Sequence, residues 1–261
     1  MTRLRADARL VALGLCESLD RARTTIMAGR VFDGERRVEK PGELVGAAAE
    51  LRLREGPRFV SRGGDKLDAA LASLCADGAV RVEGAIAVDV GASTGGFTDV
   101  LLQRGAARVY AVDVGEGLLH PKLRSDPRVV VREGVNAKTL EASSFDAPID
   151  LVVVDASFVG LATLLPALAR ILGDGGSLVA MVKPQFEAPR EVASRGRGVV
   201  KGEERRLAIE RARAAIESAG FVVRGAIDSA VAGPRGNVEH FVAATRSVKP
   251  TEKPDASREG C

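Results

Sequence analysis

The pattern of hydrophobic and polar residues changes character along the chain. Near the start, apolar residues recur at helical spacing over residues 6–13 and 18–29, which predicts two short helices. Strand-like segments follow at 31–38 and 44–53, with glycine-containing turns among them. We therefore expect two helices and a small sheet in the first part of the chain.

From residue 85 onwards, apolar runs of strand length alternate with helical patterns. The strand-like runs are residues 85–90, 108–112, 128–132, 150–154, 177–182, 221–227 and 238–245, and the helical runs are 97–103, 161–172 and 203–218. This alternation predicts an α/β fold, in which helices cover both faces of a mainly parallel sheet. Ligands bind such sheets beyond the carboxyl ends of the strands.

The composition shows a sizeable hydrophobic content and an uneven distribution of charge along the chain. The hydrophobic content of 46% supports a sizeable core, and the net charge is only +3. Residues 1–60 hold 12 Lys and Arg against 9 Asp and Glu, whereas the remainder holds 26 of each. The excess positive charge therefore lies in the N-terminal part, which indicates an electropositive region there.

Cysteine usage and the N-terminal residues indicate the compartment. Cys16, Cys75 and Cys261 are too few and too scattered for a disulfide framework or a metal site. The first residues are rich in arginine where a secretion signal needs an apolar run, and Asp155 and Arg170 interrupt the most apolar stretch. We therefore expect a cytoplasmic protein without a membrane span or a bound metal.

A glycine-rich turn follows the first strand of the α/β region, in the sequence AVDVGASTGGFTD. Gly91, Gly95 and Gly96 allow the backbone to approach a ligand closely. The spacing differs from the G-x-G-x-x-G of dinucleotide folds, and no phosphate-binding lysine follows, which disfavours NAD and ATP. Asp113, at the end of the next strand, can accept hydrogen bonds from both hydroxyls of a ribose. The alternative is that these residues bind no ligand and form only a tight turn, with the Asp as a helix cap.

The first segment resembles an S4 domain, a small RNA-binding fold. The resemblance covers residues 3 to about 54, from LVALGL through the second helix to AGRV and KPG. It implies that arginines bind RNA, and the candidates are Arg3, Arg5, Arg21, Arg23 and Arg30, together with Arg62 beyond the segment. The segment offers few aromatic side chains, which favours contacts with phosphate and RNA shape over base stacking. The alternative is that these arginines form a solvated face.

Further motifs narrow the resemblance of the remaining chain. The glycine-rich turn resembles that of Rossmann-like methyltransferases, in particular the FtsJ-like ribose methyltransferases. With VSRGGDKL, VVVDASF, VKPQFE and GPRGNVEHF in order, the chain is identified as a member of the TlyA family, over residues 3 to about 246. The resemblance implies a seven-stranded class I methyltransferase sheet, S-adenosylmethionine as cofactor, and 2'-O-methylation of cytidine in ribosomal RNA.

The same resemblance assigns the residues of the site. The catalytic tetrad of FtsJ-like enzymes falls on Lys66, Asp155, Lys183 and Glu239. The expected cofactor-binding residues are Asp89, Gly91, Ala92, Ser93, Gly95, Gly96, Phe97, Thr98, Asp113, Asn136 and Asp155. Asp113 is expected on the cofactor ribose and Asn136 near the adenine. The alternative for the tetrad is ordinary ion pairs at strand ends.

Ribose methylation constrains the roles of these charges. A weakly acidic hydroxyl must attack a methyl sulfonium in line, so the site needs orientation and a group that receives or stabilises the departing proton. Lys183 is assigned as the main activator of the hydroxyl, Asp155 and Glu239 as its positioning groups. Lys66, expected just before a short helix, completes the charge network. Amino-group methyltransferases usually carry a Pro-Pro-aromatic turn after this strand, where the chain has Asp155-Ala156-Ser157-Phe158. Carbon-5 methylation needs a nucleophilic cysteine in the cleft, and none of the three cysteines is expected there. Both reactions are therefore disfavoured.

The predicted organisation has three parts. Residues 1–58 form an S4-like RNA-binding domain, 59–246 an FtsJ-like methyltransferase domain, and 247–261 a disordered tail. The stretch SRGRGVVKG is expected to be a loop that either moves freely or binds RNA phosphate. The expected partner is ribosomal RNA or a ribosomal subunit, with the target nucleotide and oligomeric state open. The alternatives are a membrane-active haemolysin and an RNA-binding protein with a vestigial methyltransferase fold.

Overall fold

A computed structural model describes residues 3–54, 56–76, 78–233 and 236–247. The chain divides into two compact units, Met1–Arg58 and Phe59–Cys261. The tail predicted at 247–261 lies, apart from Ser247, outside the described residues.

The described residues of the first unit form two helices and five short strands. The helices are α1 (Ala6–Ala12) and α2 (Leu19–Met27), and the strands are β1 (Arg3–Arg5), β2 (Val31–Asp33), β3 (Arg36–Arg37), β4 (Leu44–Gly46) and β5 (Leu51–Leu53). Strands β1 and β4 form one sheet, and β3, β2 and β5 form another. The Ser18 side chain accepts a hydrogen bond from the Arg21 N–H and so caps α2. Both helices bury an apolar face, with Leu10 and Ile26 in the core of the unit.

The second unit is built on a seven-stranded sheet. Its strands are β6 (Ile86–Val90), β7 (Arg108–Val112), β8 (Val129–Arg132), β9 (Ile149–Val154), β10 (Leu172–Val182), β11 (Phe221–Asp228) and β12 (His240–Arg246). They lie in the order β11-β12-β10-β9-β6-β7-β8. Strand β12 runs antiparallel to β10 and β11, and the other pairings among the described strands of this sheet are parallel. This architecture confirms the predicted α/β class with a mainly parallel sheet.

The helices of the second unit cover both faces of the sheet. They are α3 (Arg62–Ala76), α4 (Gly96–Gln103), α5 (Pro121–Arg124), α6 (Leu165–Ile171), α7 (Pro184–Glu187), α8 (Arg190–Arg195) and α9 (Gly202–Ser218). Alternate residues of β9 enter different cores: Leu151 and Val153 pack in one, Val152 and Val154 in the other. Burial on both faces explains why this strand is a continuous apolar run.

The structure corrects the sequence interpretation at two points. Lys66 was expected before a short helix, but it lies within α3, which begins at Arg62 and runs to Ala76. Gly63 and Gly64 concealed this beginning because glycine disfavours helix interiors. The stretch SRGRGVVKG was expected to be a loop, but it begins inside α8 and ends with Gly202, the first residue of α9.

Candidate active site

The glycine-rich turn lies at the carboxyl end of β6, between the end of β9 and the start of α3. A Cβ atom at Gly91 would lie 2.9 Å from the carbonyl oxygen of Asp155, and Gly91 has a φ of +83°. At Gly96, a Cβ atom would collide with Ser61 Oγ and lie 2.8 Å from the backbone nitrogen of Gly64. The turn therefore depends on glycine at both positions because the end of β9 and the start of α3 press against it.

Asp89 lies behind this turn and holds it. Its Oδ2 accepts hydrogen bonds from the backbone N–H (2.9 Å) and the hydroxyl (2.7 Å) of Thr98. Burial raises the pKa of the Asp89 carboxyl to about 7, although the bonds from Thr98 oppose the rise. The carboxyl is fully buried. Its position therefore indicates support of the turn and not direct contact with a ligand.

Asp113 and Asn136 follow the next two strands at the same edge of the sheet. Asp113 accepts hydrogen bonds from the backbone N–H groups of Ser93 and Gly115, each at 2.8 Å. Asn136 caps a short 3₁₀ turn and accepts a bond from the Lys138 N–H at 3.1 Å. Each carboxylate oxygen of Asp113 can accept more than one hydrogen bond, so its capacity for ribose hydroxyls remains.

The structure brings the four predicted catalytic residues together in one cleft. This cleft of about 1040 Å³ is lined by Lys66, Asp155, Lys183 and Glu239, and also by most of the glycine-rich turn. Lys183 Nζ lies 2.5 Å from Asp155 Oδ1, and Lys66 Nζ lies 3.0 Å from Glu239 Oε1. Two lysine–carboxylate pairs therefore face the same space from remote parts of the sequence.

The contacts of Lys183 define what its amine does in this arrangement. Nζ donates to Ser157 Oγ at 2.7 Å and to the Asp155 carbonyl oxygen at 3.3 Å, besides its ion pair with the Asp155 carboxylate. All these neighbours are acceptors. The amine is thus held as a hydrogen-bond donor at the carboxyl end of β10.

The two carboxylates of the cleft, Asp155 and Glu239, are largely shielded from solvent. Burial raises the pKa of Asp155 above its ordinary value, against the opposing effect of Lys183 and Lys66. Glu239 is buried, and within the described ranges its Oε2 has no hydrogen-bond donor. A Cβ atom at Gly233 would collide with the Glu239 carboxylate, so the backbone at Gly233 lies directly against it. Each carboxylate is therefore partly desolvated and compensated by one lysine.

Sequence reasoning missed several residues that line the same cleft, among them Phe158, Phe186 and Gln185. Phe158 is 91% exposed and has a φ of +65°, unusual for a bulky residue. Its ring lies 5.3 Å from that of Phe186 between centroids, at an angle of 49°. Gln185 precedes Phe186 and also lines the cleft. An aromatic residue directly after Asp155-Ala156-Ser157 was the available signal for the first of these.

Asn237 is a further missed residue, and it fixes a loop beside the cleft. Asn237 is buried; its Oδ1 accepts a bond from the Val200 N–H at 3.0 Å, and its Nδ2 donates to the Gly198 carbonyl oxygen at 2.7 Å. Arg197 and Gly198 line the cleft. Both residues belong to the stretch SRGRGVVKG, which was expected either to move freely or to bind RNA phosphate. Asn237 ties this stretch to the segment that carries Glu239.

The predicted RNA-binding arginines fall into different environments. Arg5 and Arg23 both contact the buried carboxylate of Asp7, at 2.7 and 3.4 Å. Arg21 and Arg30 line a shallow groove of the first unit. Arg3 lies on β1, and Arg62 lines the cleft of the second unit. The arginine pair in the groove is therefore the best placed of the first unit for an external anion.

The cleft has the features that a nucleoside cofactor such as S-adenosylmethionine needs. Glycine at positions 91 and 96 lets the turn pack directly against Asp155 and Ser61, with which a larger side chain would collide. An acidic residue, Asp113, stands at the end of the neighbouring strand. In the described ranges, no group of three or more His, Cys, Asp and Glu side chains could hold a metal ion. Among the helices described, none is long and apolar enough to cross a membrane.

Comparisons with known proteins agree with this geometry. Residues 59–246 match the FtsJ-like methyltransferase family. The chain is 43% identical to the 16S/23S rRNA (cytidine-2'-O)-methyltransferase TlyA of Mycobacterium tuberculosis, over 92% of this chain and 89% of that protein. It is 40% identical to YqxC of Bacillus subtilis, described as a candidate rRNA methyltransferase, over 91% of this chain and 84% of that one.

A solved structure from Streptococcus thermophilus, described as a candidate hemolysin, is 42% identical to this chain. It superposes with a TM-score of 0.71, over 96% of this chain and 90% of that one. The predicted family is thereby confirmed. The chain belongs to the FtsJ-like methyltransferase family and, within it, to the group of TlyA proteins.

Proposed function

We propose that this protein transfers the methyl group of S-adenosylmethionine to the 2'-oxygen of a cytidine ribose in ribosomal RNA, in the cytoplasm. The observation that carries the proposal is the convergence of the Lys183–Asp155 and Lys66–Glu239 pairs beside the glycine-rich turn. Paired, partly desolvated charges suit a reaction in which a proton leaves an oxygen as a carbon–oxygen bond forms.

Cofactor binding is assigned to the turn and the adjacent strand ends. Residues 91–98 would hold the cofactor's methionine and ribose part, with Asp113 on the ribose hydroxyls and Asn136 near the adenine. The bound cofactor supplies an electrophilic methyl group on a sulfonium. The buried carboxyl of Asp89 acts through Thr98, because it keeps the turn in the shape that admits the ligand.

The Lys183–Asp155 pair is assigned to the target hydroxyl. Lys183 would donate to the 2'-oxygen, hold it in line with the methyl group and stabilise the negative charge that develops there. The departing proton is taken by the pair, in which burial has raised the pKa of Asp155 and so made its carboxylate a better proton acceptor. Assistance of this kind is typically worth about 100- to 10,000-fold in rate.

Lys66 and Glu239 are assigned to the second wall of the site. Their ion pair joins α3 to the beginning of β12, so it fixes two elements that border the cleft. We assign Phe158 and Phe186 to the base of the target nucleotide, because an exposed aromatic face beside the reacting residues offers a stacking surface.

The identity of the substrate rests on the relatives and on the first unit. The Mycobacterium tuberculosis relative is named for cytidine methylation in both ribosomal RNAs. We propose that residues 1–58 are an S4-type RNA-binding domain, since the groove with Arg21 and Arg30 offers cationic contacts for phosphate. The paired charges of the cleft favour an enzyme over a vestigial fold or a membrane-active protein.

Mapping of the transferred methyl group tests the proposal. Ribosomal subunits from a host without this modification are incubated with the protein and isotopically labelled S-adenosylmethionine, and the RNA is digested and analysed by mass spectrometry. We expect label on the 2'-oxygen of cytidine. Label on a base atom, or in no ribosomal RNA at all, would overturn the assignment.

A further inference from the structure

The loop that follows β9 holds an aromatic residue in an unusual conformation. Phe158 has a φ of +65°, and its side chain is 91% exposed. A bulky residue adopts this left-handed region at an energetic cost, so the surrounding structure must hold it there. A ring exposed to this degree buries little surface that would offset the cost. The conformation of Phe158 therefore depends on contacts made by the rest of the loop.

Glu187 makes such a contact from the end of the neighbouring strand. It is the last residue of α7, which follows β10, and its Oε1 accepts a hydrogen bond from the Leu161 N–H at 2.7 Å. Leu161 begins a 3₁₀ turn three residues after Phe158. Because the first N–H groups of a helical turn have no acceptor within that turn, the carboxylate supplies one from outside. Glu187 thus fixes the far end of the loop.

Other residues around α7 hold the loop nearer to its beginning. Lys183, directly before α7, donates to Ser157 Oγ at 2.7 Å. The ring of Phe186, within α7, lies 5.3 Å from that of Phe158. The loop after β9 is therefore held against the segment after β10 along its length, and the bond to Glu187 completes this contact.

The carboxylate of Glu187 is a strong anchor for this purpose. Burial raises the pKa of its carboxyl group, and the bond from Leu161 opposes the rise. A charged acceptor binds an N–H more strongly than a neutral one, and more so where solvent is partly excluded. Partial desolvation of a carboxylate is costly unless a donor compensates it. The Leu161 N–H is that donor, so the two groups hold each other in place.

We infer that Glu187 is a positioning residue for methyl transfer, which holds the loop of residues 156–161 so that Phe158 presents its ring to the target base. Phe158 and Phe186 line the cleft, whereas Glu187 lies behind them and acts through the loop. A stacking surface that is already ordered costs less to bring into place when the nucleotide arrives. The inference rests on the proposed function, in which the two rings receive the base.

A double-mutant cycle tests the inference. Single-turnover methylation is measured against the concentration of ribosomal subunits for the parent, Glu187→Ala, Glu187→Gln, Phe158→Ala and the double variant of both alanine substitutions. Glutamine keeps an acceptor oxygen for the Leu161 N–H, whereas alanine removes it. Asp150→Ala is the matched control, because Asp150 accepts a bond from the Ile86 N–H at 2.9 Å at the opposite edge of the sheet. Thermal unfolding and cofactor calorimetry accompany each variant.

We expect Glu187→Ala to lower the ratio of maximal rate to half-saturating subunit concentration by about 10-fold, the order of one base-stacking contact. Glu187→Gln should stay within about 3-fold of the parent, because its oxygen still accepts the bond. In the Phe158→Ala background, Glu187→Ala should have little further effect, since the ring that it positions is gone. Asp150→Ala should match the parent, and cofactor affinity should be the same throughout.

Several results would overturn the inference while ribose methylation by the parent still stands. These are a Glu187→Ala or Phe158→Ala variant as active as the parent, effects of the two substitutions that simply multiply, and a Glu187→Gln variant as impaired as Glu187→Ala. An equal loss in Asp150→Ala would also overturn it, because any broken bond between a carboxylate and the backbone would then have the same effect. If the parent modifies no ribose, the proposed function fails and the inference fails with it.

Discussion

Asp89 shows how a single buried residue couples the cofactor turn to pH. Its Oδ2 holds Thr98 through two hydrogen bonds, and in the described ranges its Oδ1 has no partner. Burial raises the pKa of this carboxyl from 3.8 to about 7. The folded chain therefore keeps a proton on Asp89 at pH values where the unfolded chain has lost it.

The expected consequence is a decline of stability with rising pH. Between about pH 4 and 7 the folded state binds more protons than the unfolded state, so the contribution of Asp89 to the free energy of unfolding falls across that window, by about 4 kcal/mol in all. Asp89→Asn resembles the protonated form and should remove the decline. Chemical denaturation at several pH values measures both proteins. Equal pH dependence of parent and variant would contradict the pKa assigned to Asp89.

At the scale of elements, the glycine-rich turn is shaped by its neighbours. Gly96 is the first residue of α4. Its neighbours Ser61 and Gly64 lie at the beginning of the second unit, about 30 residues earlier in the sequence. The Val60 N–H donates to the buried carboxylate of Asp99 on α4 at 3.0 Å and so fixes this contact. The turn and the VSRGG segment (residues 60–64) therefore pack against each other, although they are remote in sequence.

Gly96→Ala should damage this packing. Its Cβ would collide with Ser61 Oγ and press on the Gly64 backbone, and overpacking of this kind costs about 1–3 kcal/mol. We expect cofactor affinity, measured by calorimetry, to fall by about 10-fold or more as the turn shifts. Gly173→Ala is the matched control, because a Cβ atom there meets nothing within 4 Å. Similar affinities for both variants would show that the packing does not shape the site.

The elements of the sheet were predictable because doubly buried strands are apolar without interruption. The family resemblance located the catalytic residues, and the topology explains why they meet. Asp155 and Lys183 follow the carboxyl ends of β9 and β10, and Glu239 precedes the antiparallel β12, which begins at the same edge. The role of Asn237 was not predictable. It depends on contacts with Gly198 and Val200, which are distant in sequence. Local periodicity carries no information about such contacts.

At the scale of the whole molecule, chemistry and RNA affinity are assigned to different units. The excess positive charge lies in residues 1–60, whereas the paired catalytic charges lie in the second unit. Within the first unit, Arg36 and Arg37 are already paired with Glu43 and Glu39. Arg21 and Arg30 line a groove instead. Electrostatic binding to RNA should therefore depend on Arg21 and Arg30 more than on Arg36 and Arg37.

Replacing Arg21 and Arg30 together by Ala should weaken binding to ribosomal RNA and reduce its salt dependence. Two lost phosphate contacts lower the slope of log affinity against log salt by about 1.4 to 1.8. Cofactor affinity should stay at the parent's value. The double variant of Arg36 and Arg37 serves as the control and should change the slope less. Filter binding at several salt concentrations decides this, and equal slopes for both double variants would refute the placement of the RNA surface.

The central claim is that the charges in the cleft carry out methyl transfer, and Lys183 tests it most directly. Single-turnover ribose methylation is measured for the parent, Lys183→Ala, Lys183→Arg and the exposed control Lys122→Ala. Both Lys183 variants should be slower by about 100- to 10,000-fold, because alanine removes the donor to the 2'-oxygen and the bulkier guanidinium of arginine does not fit the position of the lysine amine beside Asp155. Cofactor and RNA binding should persist. The control should match the parent. A Lys183→Ala rate within a few-fold of the parent would reduce the four residues to ordinary ion pairs and contradict the account.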